Sequence, residues 1–348
     1  MCSGVNADLS DQQWIQASLP VRLGGLGIRL VSHLAPSAFL ASALSTRQLQ
    51  DASLLHCTVS PDVSVDRALS FWSSGRNLIA PPPISAGRQR SWDTPLVQFE
   101  HSQLLASLPN AQDRARLLAI SAESSSDWLH ALPIVSCGLF LDDEAVRVAV
   151  SFRLGARACE PHTCPCGSPV DALGLHGLSC RRGSGRNSRH HHLNDIIWRA
   201  LSRAGIPSSK EPAKLSRSDG KRPDGMTLVP WRSGKCAVWD VTVIDTMANS
   251  YLNSTSSATG GAAIIAAARK VDKYQDLSRL YEVIPVAIET MGPSDPSGAA
   301  FINGIGKLIE EQTGDRRETS FLWQRLSITL QRFNAVCFRG SFKLDDLE

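Results

Sequence analysis

The chain has 348 residues, of which 43% are hydrophobic and 20% charged, with a formal net charge of +3. That length allows two or three compact units with ample core, and the composition excludes a disordered or fibrous chain. No apolar run approaches the ~18 residues of a membrane span, and the N-terminus lacks the basic start and apolar stretch of a secretory signal.

Residues 1–78 read as short helices and loops, with a glycine-rich turn at Gly24, Gly25 and Gly27. Residues 79–95 hold Pro81, Pro82 and Pro83 and read as a linker. Residues 96–158 read as a helical connector, in which Asp142 is placed to cap a helix with Val146, Val150 and Leu154 on one face.

Cysteine usage changes the picture at residue 159. Nine cysteines are present, and Cys159, Cys164, Cys166 and Cys180 crowd together while Cys2, Cys57, Cys137, Cys236 and Cys337 stand alone. Within residues 159–185 the spacing Cys164-x-Cys166, then His176-x3-Cys180, provides two close ligand pairs, as a tetrahedral zinc knuckle requires. Gly167 and Gly177 permit the tight backbone of such a knuckle, and Cys159 and His162 are further candidate ligands. Four protein ligands leave no open position, so the zinc expected here is structural.

Eleven Lys/Arg fall between Arg181 and Arg222, opposed only by Asp195, Glu211 and Asp219. A local excess of this size suits a polyanion partner, with Arg181, Arg182, Arg186, Arg189, His190, Lys221 and Arg222 as candidate nucleic-acid contacts.

From 186 to 340 the pattern is that of an α/β domain. Leu193, Ile196, Ile197, Ala200, Leu201 and Ala204 recur at helical spacing and stop at Gly205 and Pro207. Extended runs follow at Asp224–Val229 and Cys236–Ile244, joined by a turn at Arg232-Ser233-Gly234. A helix over 261–280, a strand over 283–288 and two closing helices complete an order α-β-β-α-β-α-α.

A turn centred near residue 232 sets Asp224 opposite Asp240 across the hairpin. Two adjacent carboxylates repel unless neutralised, and a hard cation such as Mg²⁺ is their natural partner. Asp240 lies within Ala-Val-Trp-Asp-Val-Thr-Val, where a charge without a function is costly. Lys270, Lys273 and Tyr274 share a helix face, and either lysine is placed to orient a water or stabilise a phosphorane. Glu211 and Glu289 are further candidate carboxylates.

The sequence Lys221-Arg222-Pro223-Asp224, then Asp240 in Trp-Asp-Val-Thr-Val, then Lys270 with Lys273-Tyr274, resembles the restriction-like endonuclease of non-LTR retrotransposons, a PD-(D/E)xK nuclease. In that family a Cys/His knuckle precedes the nuclease, the place held here by Cys164 to Cys180. Leu19-Pro20 to Gly27 resembles the segment following a reverse transcriptase's polymerase domain.

The resemblance implies a restriction-endonuclease-like core (α-β-β-α-β) preceded by a zinc knuckle and a mainly helical N-terminal region. It makes Asp224 and Asp240 catalytic Mg²⁺ ligands, with Lys270 the first and Lys273 the second candidate for a lysine displaced from Thr242. Glu211 would match an upstream glutamate. No Tyr/Phe-x-Asp-Asp polymerase motif is present, since Asp142-Asp143 follows Leu139-Phe140-Leu141. The implied protein is a C-terminal polyprotein fragment lacking its N-terminal reverse transcriptase portion. It would act in the nucleus on a DNA target, with element RNA as a second partner and no membrane, nicking DNA to prime reverse transcription. The alternative is a catalytically inactive nucleic-acid-binding remnant of the same element.

Overall fold

The chain divides at Leu108 into two units in the computed structural model, which describes residues 8–53, 62–183, 185–215 and 222–343. The first, Ser10–Leu108, is helical: α1 (Asp11–Ser18), α2 (Val31–Ser53), α3 (Val63–Ser73) and α4 (Gln89–Ser107). A capping box between Ser10 and Gln13 opens α1. Leu40, Trp72, Trp92 and Leu96 form the unit's core, with the two indoles edge to face at 5.0 Å.

Two sequence expectations are corrected here. α2 is one helix of 23 residues rather than several short ones. The stretch 79–95 is also not an open linker, because Pro83 starts a one-turn helix and α4 begins at Gln89, with Trp92 2% exposed. Proline's fixed φ suits the first turn of a helix, so Pro83 initiates structure here rather than breaking it.

The second unit runs from Pro109 onward and, among the described residues, also takes in Asp8 and Leu9. It begins with α5 (Ala111–Ile120), capped by Asn110, and α6 (Asp143–Leu154), capped by Asp142, which accepts from Ala145 N at 2.7 Å. The buried face of α6 is Ala145, Val148, Ala149 and Phe152; of the face anticipated from the sequence Leu154 is fully buried, Val150 half-buried and Val146 40% exposed, so that face is only partly the buried one. A small hairpin follows, β1 (His162–Thr163) with β2 (Pro169–Val170).

Helix α7 (Gly185–Arg203) then leads into a four-stranded mixed sheet of order β3-β4-β5-β6. Its strands are β3 (Ser208–Lys210), β4 (Gly225–Arg232), β5 (Lys235–Ile244) and β6 (Glu282–Glu289). The first three run antiparallel and β6 is parallel to β5. The crossover between β5 and β6 carries α8 (Gly261–Lys273); α9 (Pro296–Thr313) and α10 (Glu318–Arg339) close the unit. The observed order has one strand more than the sequence suggests, because Ser208-Ser209-Lys210 shows no apolar alternation by which an edge strand could be recognised.

β5 is central and covered on both sides. Ala237, Trp239 and Val241 join Leu193, Ile197, Leu201, Phe301 and Ile305 in the main core. Ile244 on the opposite face packs with Ala262, Ala263, Ala266 and Ala267 of α8. The alanines let α8 lie close to the sheet, which brings its last turn over Asp240.

Candidate functional site

The hairpin turn falls at Ser233-Gly234, both at positive φ, and Arg232 faces Lys235. A regular ladder from that turn would set Asp224 opposite Val243. Two irregularities between Met226 and Arg232 shift the register so that Gly225 faces Trp239. Asp224 is thereby drawn beside Asp240, its backbone N–H donating to the Trp239 carbonyl at 3.0 Å. Gly225 cannot carry a side chain, since a Cβ there would lie 2.0 Å from the Trp239 ring.

The Asp224 carboxylate is held from two sides. Val241 N–H donates to its Oδ2 at 2.6 Å, and His190 Nε2 lies 2.9 Å from the same oxygen. The hydrogen bond to Asp224 is the main influence raising the His190 pKa above its ordinary value, against burial. Asn194, one helical turn on from His190, donates to the Asp224 carbonyl at 3.3 Å and accepts from the Trp239 indole at 2.8 Å. α7 is therefore locked both to the entry of β4, at Asp224, and to β5, which carries Asp240.

Asp240 is 5% exposed. Burial alone would favour its neutral form, but Lys270, with Tyr274 and Lys273, outweighs that effect and holds the carboxyl below the usual range. Lys270 Nζ is 2.7 Å from Oδ1 and Lys273 Nζ is 3.4 Å from Oδ2. Lys273 also donates to the Tyr274 hydroxyl at 2.6 Å. Ligand atoms of His190, Asp224 and Asp240 all lie within 4.8 Å of one another.

The remaining candidate carboxylates are placed elsewhere. Glu211 touches Asp224 only through its backbone N–H, at 3.0 Å, and its side chain pairs with Arg222. Glu289 is fully buried at the end of β6 and accepts from Ala262 N at 2.9 Å and Ala263 N at 3.2 Å, capping α8. Its pKa is raised, chiefly by burial.

A second cluster lies in the knuckle. Cys164 and Cys166 sit in the tight loop between β1 and β2, where Gly167 adopts φ +92° and donates to the Cys164 carbonyl at 2.7 Å. His176 opens a one-turn helix ending at Ser179, immediately before Cys180. The Cys166 and His176 ligand atoms are 3.2 Å apart and the Cys164 and Cys180 sulfurs 3.8 Å apart, with all four ligand atoms within 4.8 Å. This Cys3His group can hold a metal such as zinc.

Burial pushes the Cys164 thiol up to about 11, while hydrogen bonding with Ser168 pulls Cys166 down to about 6. A bound zinc would deprotonate both. The other candidate ligands are engaged elsewhere: Cys159 packs against the cluster but its Sγ meets the Asp171 carbonyl at 3.4 Å, and His162 bonds Ser341 and stacks on Phe342. Gly177 serves packing rather than a turn, since a Cβ there would lie 2.5 Å from the Cys337 carbonyl of α10.

The basic stretch is largely committed within the fold. Arg189 is 1% exposed and donates to Asn334 and to the Leu178 carbonyl, so it is unavailable to a phosphate. Arg199 and Lys210 pair with Asp195, Arg203 with Glu318, and Arg222 with Glu211. Arg181 and Arg182, in the turn after Cys180, and Arg186, in the first turn of α7, are exposed, whereas Lys221 lies outside the described residues.

The sequence reading assigned His190 to nucleic-acid contact and gave Asn194 and Tyr274 no role. The available signal was helical spacing, since His190 and Asn194 are four apart on the helix that packs against the hairpin. No protein-family model matches the chain, and no curated protein matches it with statistical significance.

Proposed function

We propose that the chain is a metal-dependent DNA endonuclease of the restriction-like PD-(D/E)xK kind, from the C-terminal part of a non-LTR retrotransposon polyprotein. One observation carries this reading: Asp224 and Asp240, from two paired segments, converge within 4.8 Å at a point where Lys270 lies 2.7 Å from Asp240. The lysine comes from α8 rather than from position 242, which holds Thr242. The mixed sheet, with α7 on one face and α8 on the other, supports a restriction-like core.

The donor set suits a divalent cation. Two carboxylates, one of them buried and held ionised by lysine, are the hard oxygen ligands that Mg²⁺ takes. When bound, such a cation supplies Lewis-acid stabilisation of a phosphate oxygen and lowers the pKa of water.

The chain's own groups do the rest. Asp224 is kept in one orientation by Val241 N–H and His190. Lys270 is positioned to hold developing phosphate charge. Lys273, anchored between Asp240 and the Tyr274 hydroxyl, keeps a second positive charge on the same carboxylate. Arg181, Arg182 and Arg186 would grip DNA through its phosphates. The zinc knuckle, packed against α10, would present that basic segment. In the proposed setting the protein works in the nucleus on target DNA, with element RNA and the reverse transcriptase portion as partners.

Mg²⁺-dependent nicking of supercoiled plasmid tests the proposal. Asp224→Ala and Asp240→Ala should each abolish nicking while leaving a cooperative thermal transition. Unchanged nicking in both variants would sink the assignment. One observation favours a second reading, an inactive nucleic-acid-binding remnant: both carboxylates already have protein partners, His190 for Asp224 and the two lysines for Asp240. Binding to DNA with steep salt dependence, but no nicking in Mg²⁺ or Mn²⁺, would establish that alternative.

A further inference from the structure

His190 offers a cation something that the neighbouring lysines cannot, a nitrogen lone pair. Its ring nitrogen shares with Asp224 and Asp240 a space in which all ligand atoms lie within 4.8 Å. Nε2 is 2.9 Å from Asp224 Oδ2. Two neighbouring ligands at right angles on an octahedral cation, each at ~2.1 Å, are ~3.0 Å apart, so the observed separation already matches adjacent coordination positions. The His190 side chain is 30% exposed, against 15% for Asp224 and 7% for Asp240, which leaves the trio open to an ion from one side.

The arrangement is also rigidly supported. On α7, Leu193 and Ile197 are fully buried in the main core. Asn194 ties the same helix to the Trp239 indole and the Asp224 carbonyl. A helix, a hairpin entry and a central strand thus each contribute one donor, positioned by core packing rather than by loop conformation.

We infer that His190 is the third protein ligand of the divalent cation held by Asp224 and Asp240, and that its imidazole makes the site favour Mn²⁺ over Mg²⁺. This rests on the nuclease reading for the existence of the cation site. Mg²⁺ takes oxygen ligands and gives up its water reluctantly. Imidazole adds affinity for first-row transition ions, of which Mn²⁺ tolerates a carboxylate-rich set. The ring binds as the neutral form: the proton that Nε2 donates to Asp224 Oδ2 is released to solvent, the Nε2 lone pair goes to the cation and a single proton stays on Nδ1.

The test uses the full chain with its knuckle loaded with zinc, titrated with Mn²⁺. Electron paramagnetic resonance counts bound Mn²⁺, and pulsed measurements detect ¹⁴N coupling from a coordinated imidazole. The wild-type protein should bind Mn²⁺ with ¹⁴N coupling that is replaced by ¹⁵N coupling when its histidines are ¹⁵N-labelled. His190→Gln should lose the coupling and weaken Mn²⁺ binding by about tenfold or more, with Mg²⁺ affinity nearly unchanged, so that Mg²⁺ displaces Mn²⁺ correspondingly more readily.

Absence of nitrogen coupling in wild-type protein, a readout that needs no variant to fold, overturns the inference. So does persistence of the coupling in His190→Gln. If Mn²⁺ binds without nitrogen but binding and nicking still require Asp224 and Asp240, only the role of His190 falls. If no Mn²⁺ binds, the nuclease reading falls with it.

Discussion

Gly225 marks how little room surrounds the candidate site. A Cβ at that position would meet Trp239 ring carbons at 2.0 and 2.4 Å, and Trp239 is fully buried. Gly225→Ala should therefore destabilise the fold by about 1–3 kcal/mol, the usual cost of overpacking, read as a lower urea midpoint. A wild-type midpoint would show that the indole can move aside. Glu289 gives a prediction with the opposite purpose. Its folded pKa is raised, mainly by burial, so between its unfolded and folded pKa values the native state binds more protons than the unfolded chain. Stability must then fall as pH rises through that window. Glu289→Gln keeps an oxygen to accept from Ala262 and Ala263 but cannot ionise. The melting temperature of the variant relative to wild type should rise between pH 4 and pH 8, and a difference independent of pH would contradict the linkage. Neither residue advertised its role in the sequence. Gly225 follows a Pro-Asp pair and could equally have marked a turn, and Glu289 as the last residue of a strand gives no hint that it caps α8.

At the scale of elements, the knuckle and α10 behave as one packed piece. Gly174, Gly177 and Gly185 each approach α10 so closely that a Cβ would lie within 2.4–2.9 Å of Phe338 or Cys337 atoms. His162 adds hydrogen bonds to Ser341 just past the helix end. If the Cys3His group holds zinc, its removal by a strong chelator should loosen both partners together: amide exchange should accelerate in 159–180 and in 334–342, while β5 and β6 remain protected. Protection unchanged at the end of α10 would show that the knuckle holds itself there without metal. The elements that could be read from the sequence were those whose burial is one-sided or strongly periodic. The core stripe of α7, the two strands flanking Ser233-Gly234 and the two closing helices all fall in that class. The pairing of Asp224 with Asp240 was also anticipated, but through a turn centred too early. The true turn lies nearer Gly234, and irregularities in β4 restore the register, which local pattern cannot reveal. β3 escaped because it is three polar residues paired on one edge. The charge cluster is only partly available for a related reason: a Lys/Arg count ignores tertiary partners such as Asn334 for Arg189 and Glu318 for Arg203.

Across the whole molecule, each unit has a core of its own. Ser10–Leu108 is built on Trp72 and Trp92, and the unit from Pro109 on Trp239, Ile197 and Ile305, so the boundary falls after α4 and not in the proline-rich stretch before it. Every residue of both candidate metal clusters belongs to the second unit. A protein comprising residues 109–348 should therefore unfold cooperatively by itself and bind zinc at its Cys3His group as tightly as the full chain does. If the nuclease proposal holds, it should also nick plasmid with Mg²⁺ at a rate comparable to that of the full chain. Its DNA affinity should depend on salt through the exposed arginines that form no ion pair among the described residues. Each phosphate contact removed lowers the slope of log K against log salt by roughly 0.9. Replacing Arg181, Arg182 and Arg186 by alanine should thus flatten that slope, whereas Arg199→Ala, whose charge is spent on Asp195, should leave it nearly unchanged. Equal flattening by both changes would mean that DNA competes successfully for the paired arginines, and that the basic stretch acts as a whole. A broad, non-cooperative transition in residues 109–348 would instead mean that the second core depends on the first, despite the separate packing of their aromatic residues.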